Sequence, residues 1–478
     1  MVQPTLHTGS SAHRRIQRAA RNLVLVLGDG AMLVLSAFIA YVAWAAPERH
    51  QAPELYLDLL PLVVLFVAGY ARAGLYPSLG LGPVETLRRV SFVTIFGFLV
   101  VASFSFAFRL PHLYSRITFG IAFVLSLFLV PLGRVALFYV ARKWNWWAEP
   151  VVIIGTGRRA ARVTRDIKRA SHLGYRAAAI ISGGTTPPAY QEFEGVPIVG
   201  GLEMVPRLAA CGIRVAFLEV DHPHTRQILD QLQQSFRRVI LLHEFDDLPV
   251  EGVQVRNLGN LVGIEYTNNL LRPINQTAKR ALDLVLGTAA FVLLLPITLV
   301  AGLLVLLIDG RPIFFRQSRT GLAGRTVHVP KIRTMRRDAE HQLAEVLDSN
   351  PAARDEWESR YKLREDPRLI PGIGRFFRRF SIDELPQLWS VIVGDMSLVG
   401  PRPFPAYHLE KFTPGFQELR QRVRPGITGL WQVTVRSDGG IEEQEGFDTY
   451  YIRNWSVWFD FYVLSRTIVA VASGRGAS

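Results

Sequence analysis

The sequence has one cysteine, Cys211, in 478 residues. Intrachain disulfides are therefore excluded, and no CxxC or Cys/His spacing offers a metal site. Charge is scarce too. Charged residues make up 20% of the chain, against about 25% in an ordinary soluble domain. Acidic groups are the scarcer sign, with 40 Asp+Glu against 54 Lys+Arg and a formal charge of +14. Repeats and low-complexity tracts are absent. At 49% hydrophobic residues the chain is not disordered, and its length allows about three domains. Basicity joined to apolarity points to a membrane, because anionic headgroups attract basic flanks. Nucleic acid also favours basic proteins but gives no reason for the apolar excess, so no nucleic-acid partner is expected.

The apolar residues are concentrated. Four stretches, Leu23–Ala46, Leu55–Ala71, Val90–Phe108 and Ile117–Val140, fall in the first 140 residues. Each is near the ~20 residues that cross a bilayer core. Arg14, Arg15, Arg18 and Arg21 precede the first stretch, Arg72, Arg88 and Arg89 lie between the second and third, and Arg142 and Lys143 follow the fourth. The opposite loops hold little: Arg49 in one, Arg109 and Arg116 in the other. The positive-inside rule then makes the N-terminus and everything just after residue 141 cytoplasmic. Trp144, Trp146 and Trp147 fit an interfacial belt there.

Residues 150–265 alternate strand and helix patterns, which implies a parallel sheet. The runs Val151–Ile154, Ala177–Ile181, Val215–Val220 and Val239–Leu242 read as strands. After the first comes GxGxxA, at Gly155, Gly157 and Ala160, a weakened dinucleotide fingerprint. An acidic residue should close the second strand, yet that strand ends Ile180-Ile181-Ser182-Gly183. The segment is therefore read as a Rossmann-like scaffold, with cofactor binding the lesser alternative.

A fifth apolar segment, Leu284–Ile308, is interrupted by Pro296. Proline removes one helix hydrogen bond and forces a kink. Lys279 and Arg280 stand at one end, Arg311 and Arg316 at the other. Positive charge at both ends favours a hairpin-like, re-entrant segment over a complete crossing. Beyond it, Ser349-Asn350-Pro351 followed by Ala352–Leu363 reads as a capped helix. Trp455, Trp458, Phe459, Phe461 and Tyr462 crowd one helix, which either lies among headgroups or is buried.

Chemistry concentrates in Ser381-Ile382-Asp383-Glu384-Leu385-Pro386-Gln387-Leu388. Arg375, Arg378 and Arg379 stand upstream, and Lys331-Ile332-Arg333-Thr334-Met335 earlier. Downstream come Gly394-Asp395-Met396-Ser397-Leu398-Val399-Gly400-Pro401-Arg402-Pro403 and Arg424-Pro425-Gly426-Ile427-Thr428-Gly429-Leu430-Trp431-Gln432. Carboxylates ringed by arginines beside a membrane suit an anionic substrate. Adjacent helical residues point about 100° apart, so Asp383 and Glu384 need not share a proton. One can attack while the other holds Mg²⁺, which takes one or two carboxylates plus substrate phosphates. Phosphoryl transfer asks mainly for positioning and neutralised oxygens.

These motifs resemble the bacterial sugar transferase family of polyprenyl-phosphate hexose-1-phosphate transferases, over roughly Lys279–Ser478. The whole chain looks like the larger members, and Asn268-Asn269-Leu270-Leu271, Glu356-Trp357 and Tyr451–Trp455 look most like the undecaprenyl-phosphate galactose phosphotransferase subgroup. The resemblance implies an α/β membrane protein of three parts. These are a four-helix transmembrane bundle (1–145), a Rossmann-like α/β domain (146–270) and a mostly helical catalytic domain (275–478) with a re-entrant membrane helix at about 280–309, kinked at Pro296.

It also implies transfer of hexose-1-phosphate, galactose favoured over glucose, from a UDP-hexose to undecaprenyl phosphate, with UMP released. Asp383 matches the nucleophile that carries the phospho-sugar, and Glu384 the Mg²⁺ ligand. Lys331, Arg333 and Arg378 match the phosphate site. Pro401, Arg402 and Pro403 match a segment near the nucleotide, and Asp395 opens that motif as a further substrate-binding position. The expected setting is the cytoplasmic face of a bacterial inner membrane, among its lipids, as a homodimer.

Two departures stand out. The usual serine before the kink proline is Leu295, and Val435 replaces a glycine after the tryptophan motif. An alternative is a membrane-tethered NAD-dependent epimerase or dehydratase working through residues 150–265. It would need a Tyr-x-x-x-Lys pair, and that segment has none.

Overall fold

The computed structural model describes residues 11–473 apart from 47–60, 108–114, 142, 145, 170–173, 183–191, 220–224, 243–252, 259–260, 267–269, 271–272, 435–439 and most of 338–367. Several expectations lie outside the described residues: Arg49, Arg109, Arg142, Asn268, Asn269, Leu271, the Ala352–Leu363 helix with Glu356 and Trp357, and Val435. The chain forms two compact units, Met1–Asp246 and Asp247–Ser478.

The first unit opens with α1 (Ser11–Ala40), extended by a π turn over Tyr41–Ala45. Then follow α2 (Leu62–Arg72), α3 (Pro83–Ala107) and α4 (Arg116–Ala141). Among the described residues four helices are long and apolar enough to cross a membrane, three of them here: His13–Ala45, Pro83–Ala107 and Arg116–Ala141. The second expected span is described only from Leu62, as an 11-residue apolar helix. Phe96, Phe106, Phe128 and Val135 are exposed, as lipid-facing side chains should be.

Inside the bundle Asp29 and Arg134 form a buried pair, Nη2 to Oδ2 at 2.5 Å and Nε to Oδ1 at 2.8 Å. The Tyr76 hydroxyl donates to Asp29 at 2.7 Å, and Arg134 donates to Ser78 Oγ at 3.1 Å. Charges this deep persist only when paired. The loop carrying Tyr76 and Ser78 is thereby tied to α1 and α4.

The N-terminal arginines do more than mark topology. Arg18 and Arg21 both bond Glu149, at 2.8 Å and 3.2 Å, and Arg21 also donates to Trp147 O at 3.0 Å. Trp147 is a core residue, 2% exposed and packed with Leu25 and Ala141. The interfacial belt therefore loses one of its three members, while Trp144 remains partly exposed.

Glu149 opens the α/β part: β1 (Glu149–Ile154), α5 (Arg158–Arg169), β2 (Tyr175–Ile181), β3 (Glu192–Phe193), β4 (Val196–Gly200), α6 (Val205–Ala210), β5 (Val215–Glu219), α7 (Thr225–Ser235) and β6 (Arg238–Leu242). The four strands expected from sequence are all present, joined by β3 and β4. The order is β3-β4-β2-β1-β5-β6, parallel except for β3. Ile154 pairs with Ile181 on one side and Leu218 on the other, so the winding reverses between β1 and β5. Both sheet faces are apolar and buried, as a parallel sheet requires.

The second unit starts with the antiparallel pair β7 (Val253–Leu258) and β8 (Leu261–Tyr266). Next comes α8 (Pro273–Asp309), 37 residues with Pro296 inside and about 55 Å long at 1.5 Å per residue. Its Ile274–Asp309 portion is the fourth helix of membrane-crossing length. Three residues after Leu295, Thr298 Oγ1 donates to Leu294 O at 3.0 Å, a back-bonding hydroxyl close to the proline.

The remainder is β9 (Phe314–Thr320), β10 (Thr326–Ile332), α9 (Gly374–Arg379), a 3₁₀ turn over Ile382–Glu384, α10 (Gln387–Val393), β11 (Ser397–Val399), α11 (Ala406–Leu409), α12 (Pro414–Gln421), β12 (Gly426–Thr428), α13 (Leu430–Thr434), α14 (Ile441–Arg453) and α15 (Val457–Ser473). The aromatic cluster near the C-terminus divides. Trp455 and Phe459 are buried, while Trp458, Phe461 and Tyr462 are half-buried.

Candidate active site

Lys331 lies in β10, held by antiparallel pairing with β9 opposite Phe315. Asp383 and Glu384 sit on the 3₁₀ turn before α10. Ser381 caps that turn with φ +53°, a left-handed conformation serine rarely adopts. Such strain is kept where surrounding structure enforces it, commonly at functional sites.

Lys331 Nζ is 2.7 Å from Glu384 Oε1 and 3.9 Å from Asp383 Oδ2. Arg402 Nη2 reaches the same Glu384 oxygen at 3.4 Å. Burial alone would raise Glu384, but Lys331 and Arg402 more than reverse it, and its pKa falls to about 2. Asp383 is moved the other way. Burial lifts it, Lys331 and Arg378 only partly offset this, Glu384 adds to it, and the result is about 6. Neighbouring carboxylates driven apart in this way are set for different roles. Glu384 is held below the usual carboxylate range by Lys331 and Arg402, and Asp383 is a buried carboxylate of raised basicity.

Arg378 donates to Thr334 Oγ1 at 3.1 Å and stands 3.8 Å from Asp366. Its charge also acts on Asp383. Pro401 is buried and Pro403 half-buried on either side of Arg402. That segment is fixed by backbone pairing between two of the motifs: Gly400 N donates to Thr428 O, and Gly426 N to Pro401 O, both at 2.9 Å. A Cβ on Gly426 would collide with the Gly400 backbone, so glycine is needed for this approach. Arg420, buried on α12, donates to Arg402 O from the other side.

Two expected site residues are not brought to the carboxylates. Arg333 donates every N–H it has to the end of α8 and the adjoining chain. Nε goes to Pro312 O at 2.7 Å, Nη1 to the Asp309 carboxylate and to Met335 O at 3.1 Å, and Nη2 to Asp309 O at 3.1 Å and Gly310 O at 2.8 Å. It closes the helix C-terminus, whose last carbonyls need donors. In this structure its side-chain donors meet those acceptors, and no contact with Asp383 or Glu384 is among the described ones. Asp395 is exposed in the turn after α10, and among the described contacts none joins it to Asp383 or Glu384.

Other residues escaped sequence reasoning. Lys279 bridges Asp283 at 3.1 Å and Asp460 at 2.8 Å. Asp283 accepts from Leu398 N at 3.1 Å, and the Tyr451 hydroxyl lies 2.7 Å from Asp460 and 3.0 Å from Val399 O. Arg280 donates to Val391 O and Ile392 O, at 2.6 Å and 2.7 Å. Arg280 thus ties the start of α8 to α10, which follows the carboxylate turn, and Asp283, paired with Lys279, ties it to β11. Asp283, four residues after Lys279 and at the edge of an apolar run, was the available signal.

The arrangement presents one basic carboxylate, one fixed anion and three cations. The family model for bacterial sugar transferases matches residues 274–474, which spans this whole arrangement. A UDP-galactose-lipid carrier transferase of Erwinia amylovora is 32% identical over 76% of this chain and 76% of its own length. The chain belongs to the bacterial sugar transferase family. It is therefore an enzyme, a transferase. An undecaprenyl-phosphate galactose phosphotransferase of Salmonella typhimurium is 28% identical over 82% of this chain and 81% of its own length. The exopolysaccharide production protein ExoY of Sinorhizobium fredii is 41% identical over 45% of this chain but 94% of its own length. A second family model, for a CoA-binding domain, matches residues 72–212.

Proposed function

We propose that the enzyme transfers hexose-1-phosphate from a UDP-hexose to undecaprenyl phosphate and releases UMP, as the opening step of a surface polysaccharide repeat. The observation that carries this is the Asp383-Glu384 pair with Lys331 2.7 Å from Glu384 and 3.9 Å from Asp383, Arg402 3.4 Å from Glu384, and the Arg378 charge acting on Asp383. The ionised Asp383 carboxylate attacks the sugar-bearing phosphorus of the donor. The bond from that phosphorus to the bridging oxygen breaks, and UMP leaves with the electron pair. A phosphate oxygen of the polyprenyl acceptor then attacks the same phosphorus. The acyl phosphate bond breaks, Asp383 is restored, and a polyprenyl diphosphate sugar departs. Lys331 and Arg402 neutralise phosphate oxygens and hold Glu384 in place, and Arg378 adds positive charge beside Asp383.

Glu384 fits Mg²⁺, because it is ionised and one of its oxygens is outside the Lys331 and Arg402 contacts. The ion would supply charge neutralisation on the diphosphate. Galactose is favoured over glucose because relatives named for galactose match most of the chain.

The same reading assigns residues 1–145 to membrane anchoring, 146–270 to a Rossmann-like scaffold and homodimer contact, and 275–478 to catalysis on the cytoplasmic face of the inner membrane. Residues 280–309 enter and leave that face, turning at Pro296. The epimerase alternative is not favoured, since the family match spans the carboxylate pair and not a nicotinamide site. The test uses full-length protein in detergent with Mg²⁺, undecaprenyl phosphate and radiolabelled UDP-galactose or UDP-glucose. Label should enter the lipid phase only when the polyprenyl phosphate is present. Donor consumed over many turnovers with polyprenyl phosphate present and no lipid product formed would overturn the proposal.

A further inference from the structure

The transferase reaction leaves one motif unused, the Gly155-Thr156-Gly157 turn after β1. The fold gives it a meaning. The winding reverses between β1 and β5, and in open α/β sheets a nucleotide diphosphate sits at that crevice, against the glycine turn and the next helix N-terminus. The CoA-binding-domain match points to a ligand of that kind. Whether the residues present can take one is settled by what fills the turn.

A carboxylate fills it. Glu219 is the last residue of β5, directly after Leu218, which pairs with Ile154. A Cβ built on Gly155 would stand 2.6 Å from Glu219 Oε2 and 3.3 Å from Glu219 Cβ. One built on Gly157 would stand 2.7 Å from Oε1 and 3.0 Å from Oε2. Gly155 has φ +122°, so the turn keeps its glycine geometry, yet the space glycine leaves is taken from within the chain. The side chain can rotate, but its Cβ is fixed by the parallel strand pairing, so the negative charge stays within reach of the cradle. The Gly155 N–H is engaged as well, donating to Ile181 O at 3.0 Å. Beyond β2, where an acid would hold a ribose, Ser182 is buried and its N–H donates to Gly200 O at 2.9 Å.

We infer that Glu219 is a built-in occupant of the diphosphate position, so that this α/β unit does not take the CoA or dinucleotide its family and fold imply. The glycines admit a glutamate rather than a phosphate. The sheet then serves through its anchoring to α1, by Glu149 with Arg18 and Arg21.

The test is equilibrium dialysis of the full-length protein in detergent against CoA and, separately, NAD⁺. Wild type should show no saturable binding up to about 1 mM. E219S empties the cradle and should bind CoA at least about tenfold more tightly than wild type. Transferase activity and thermal unfolding report that E219S is folded. If it is not, E219Q, which keeps the volume and drops the charge, is read in its place, with a gain of about threefold or more expected. Saturable wild-type binding overturns the inference. So does a folded E219S, or its substitute E219Q, that gains nothing.

Discussion

Replacing Arg333 separates two meanings of a motif arginine. As a phosphate ligand it would act on substrate affinity. As a helix closure it acts on stability. Its side chain is 9% exposed and that of Asp309 20%. Removing one partner of a buried ion pair costs about 3–5 kcal/mol, because the other charge stays behind. Asp309 is partly hydrated, which places R333A toward 3 kcal/mol for the pair. Four carbonyl oxygens also lose their donor, adding about 1–2 kcal/mol where water does not reach them. A total of about 4 kcal/mol corresponds to a Tm fall of roughly 10 °C for a unit of this size. R333K keeps the charge but not the planar fork and should fall about half as far. Thermal unfolding in detergent reads the loss. Activity measured well below the transition should give R333A a KM for UDP-hexose within about threefold of wild type. An unchanged Tm together with a tenfold or larger rise in KM would refute the reasoning and return Arg333 to the phosphates.

K331M removes the strongest cation acting on both carboxylates, so kcat should fall by about 10²–10³. Asp383, already at about 6, should rise further, so the acid limb of the pH–rate profile should move to higher pH. An unmoved limb would contradict this. K279M leaves Asp283 and Asp460 buried without their cation and should cost about 3–5 kcal/mol, while K279M/D460L should recover part of that in thermal unfolding. Burial lifts Asp448 to about 7, so the folded state keeps a proton there that the unfolded state releases near pH 4. Stability from this group is therefore greatest in acid and declines by about 1.4 kcal/mol per pH unit until pH 7, then levels. D448N should abolish that slope, its advantage over wild type growing from pH 5 to pH 7.

Long-range identity explains what was legible. The long apolar helices α1, α3, α4 and α8 could be read because about twenty successive residues share one property. The strands β1, β2, β5 and β6 could be read because apolar runs alternate with helical ones. Asp383 and Glu384 were legible as adjacent letters among arginines. Their unequal protonation was not, since it depends on Lys331, some fifty positions away in sequence. Arg333 looks the same in sequence whether its donors meet phosphate or carbonyl oxygens. Lys279, Arg280, Arg18 and Arg21 were read as flanking charges, because sequence shows their placement beside apolar runs and not the carboxylates and carbonyls they meet. Gly155 and Gly157 announced an opening, but the group that fills it comes from another strand.

The proposed mechanism requires a covalent phospho-sugar on Asp383. Purified enzyme mixed with UDP-galactose labelled in the sugar-bearing phosphate, with Mg²⁺ and no polyprenyl phosphate, should release about one equivalent of UMP per protein and retain the label on the protein. D383N should give neither the burst nor the label. Turnover retained by D383N, or transfer by wild type with no protein-bound phosphate at any time, would contradict the account.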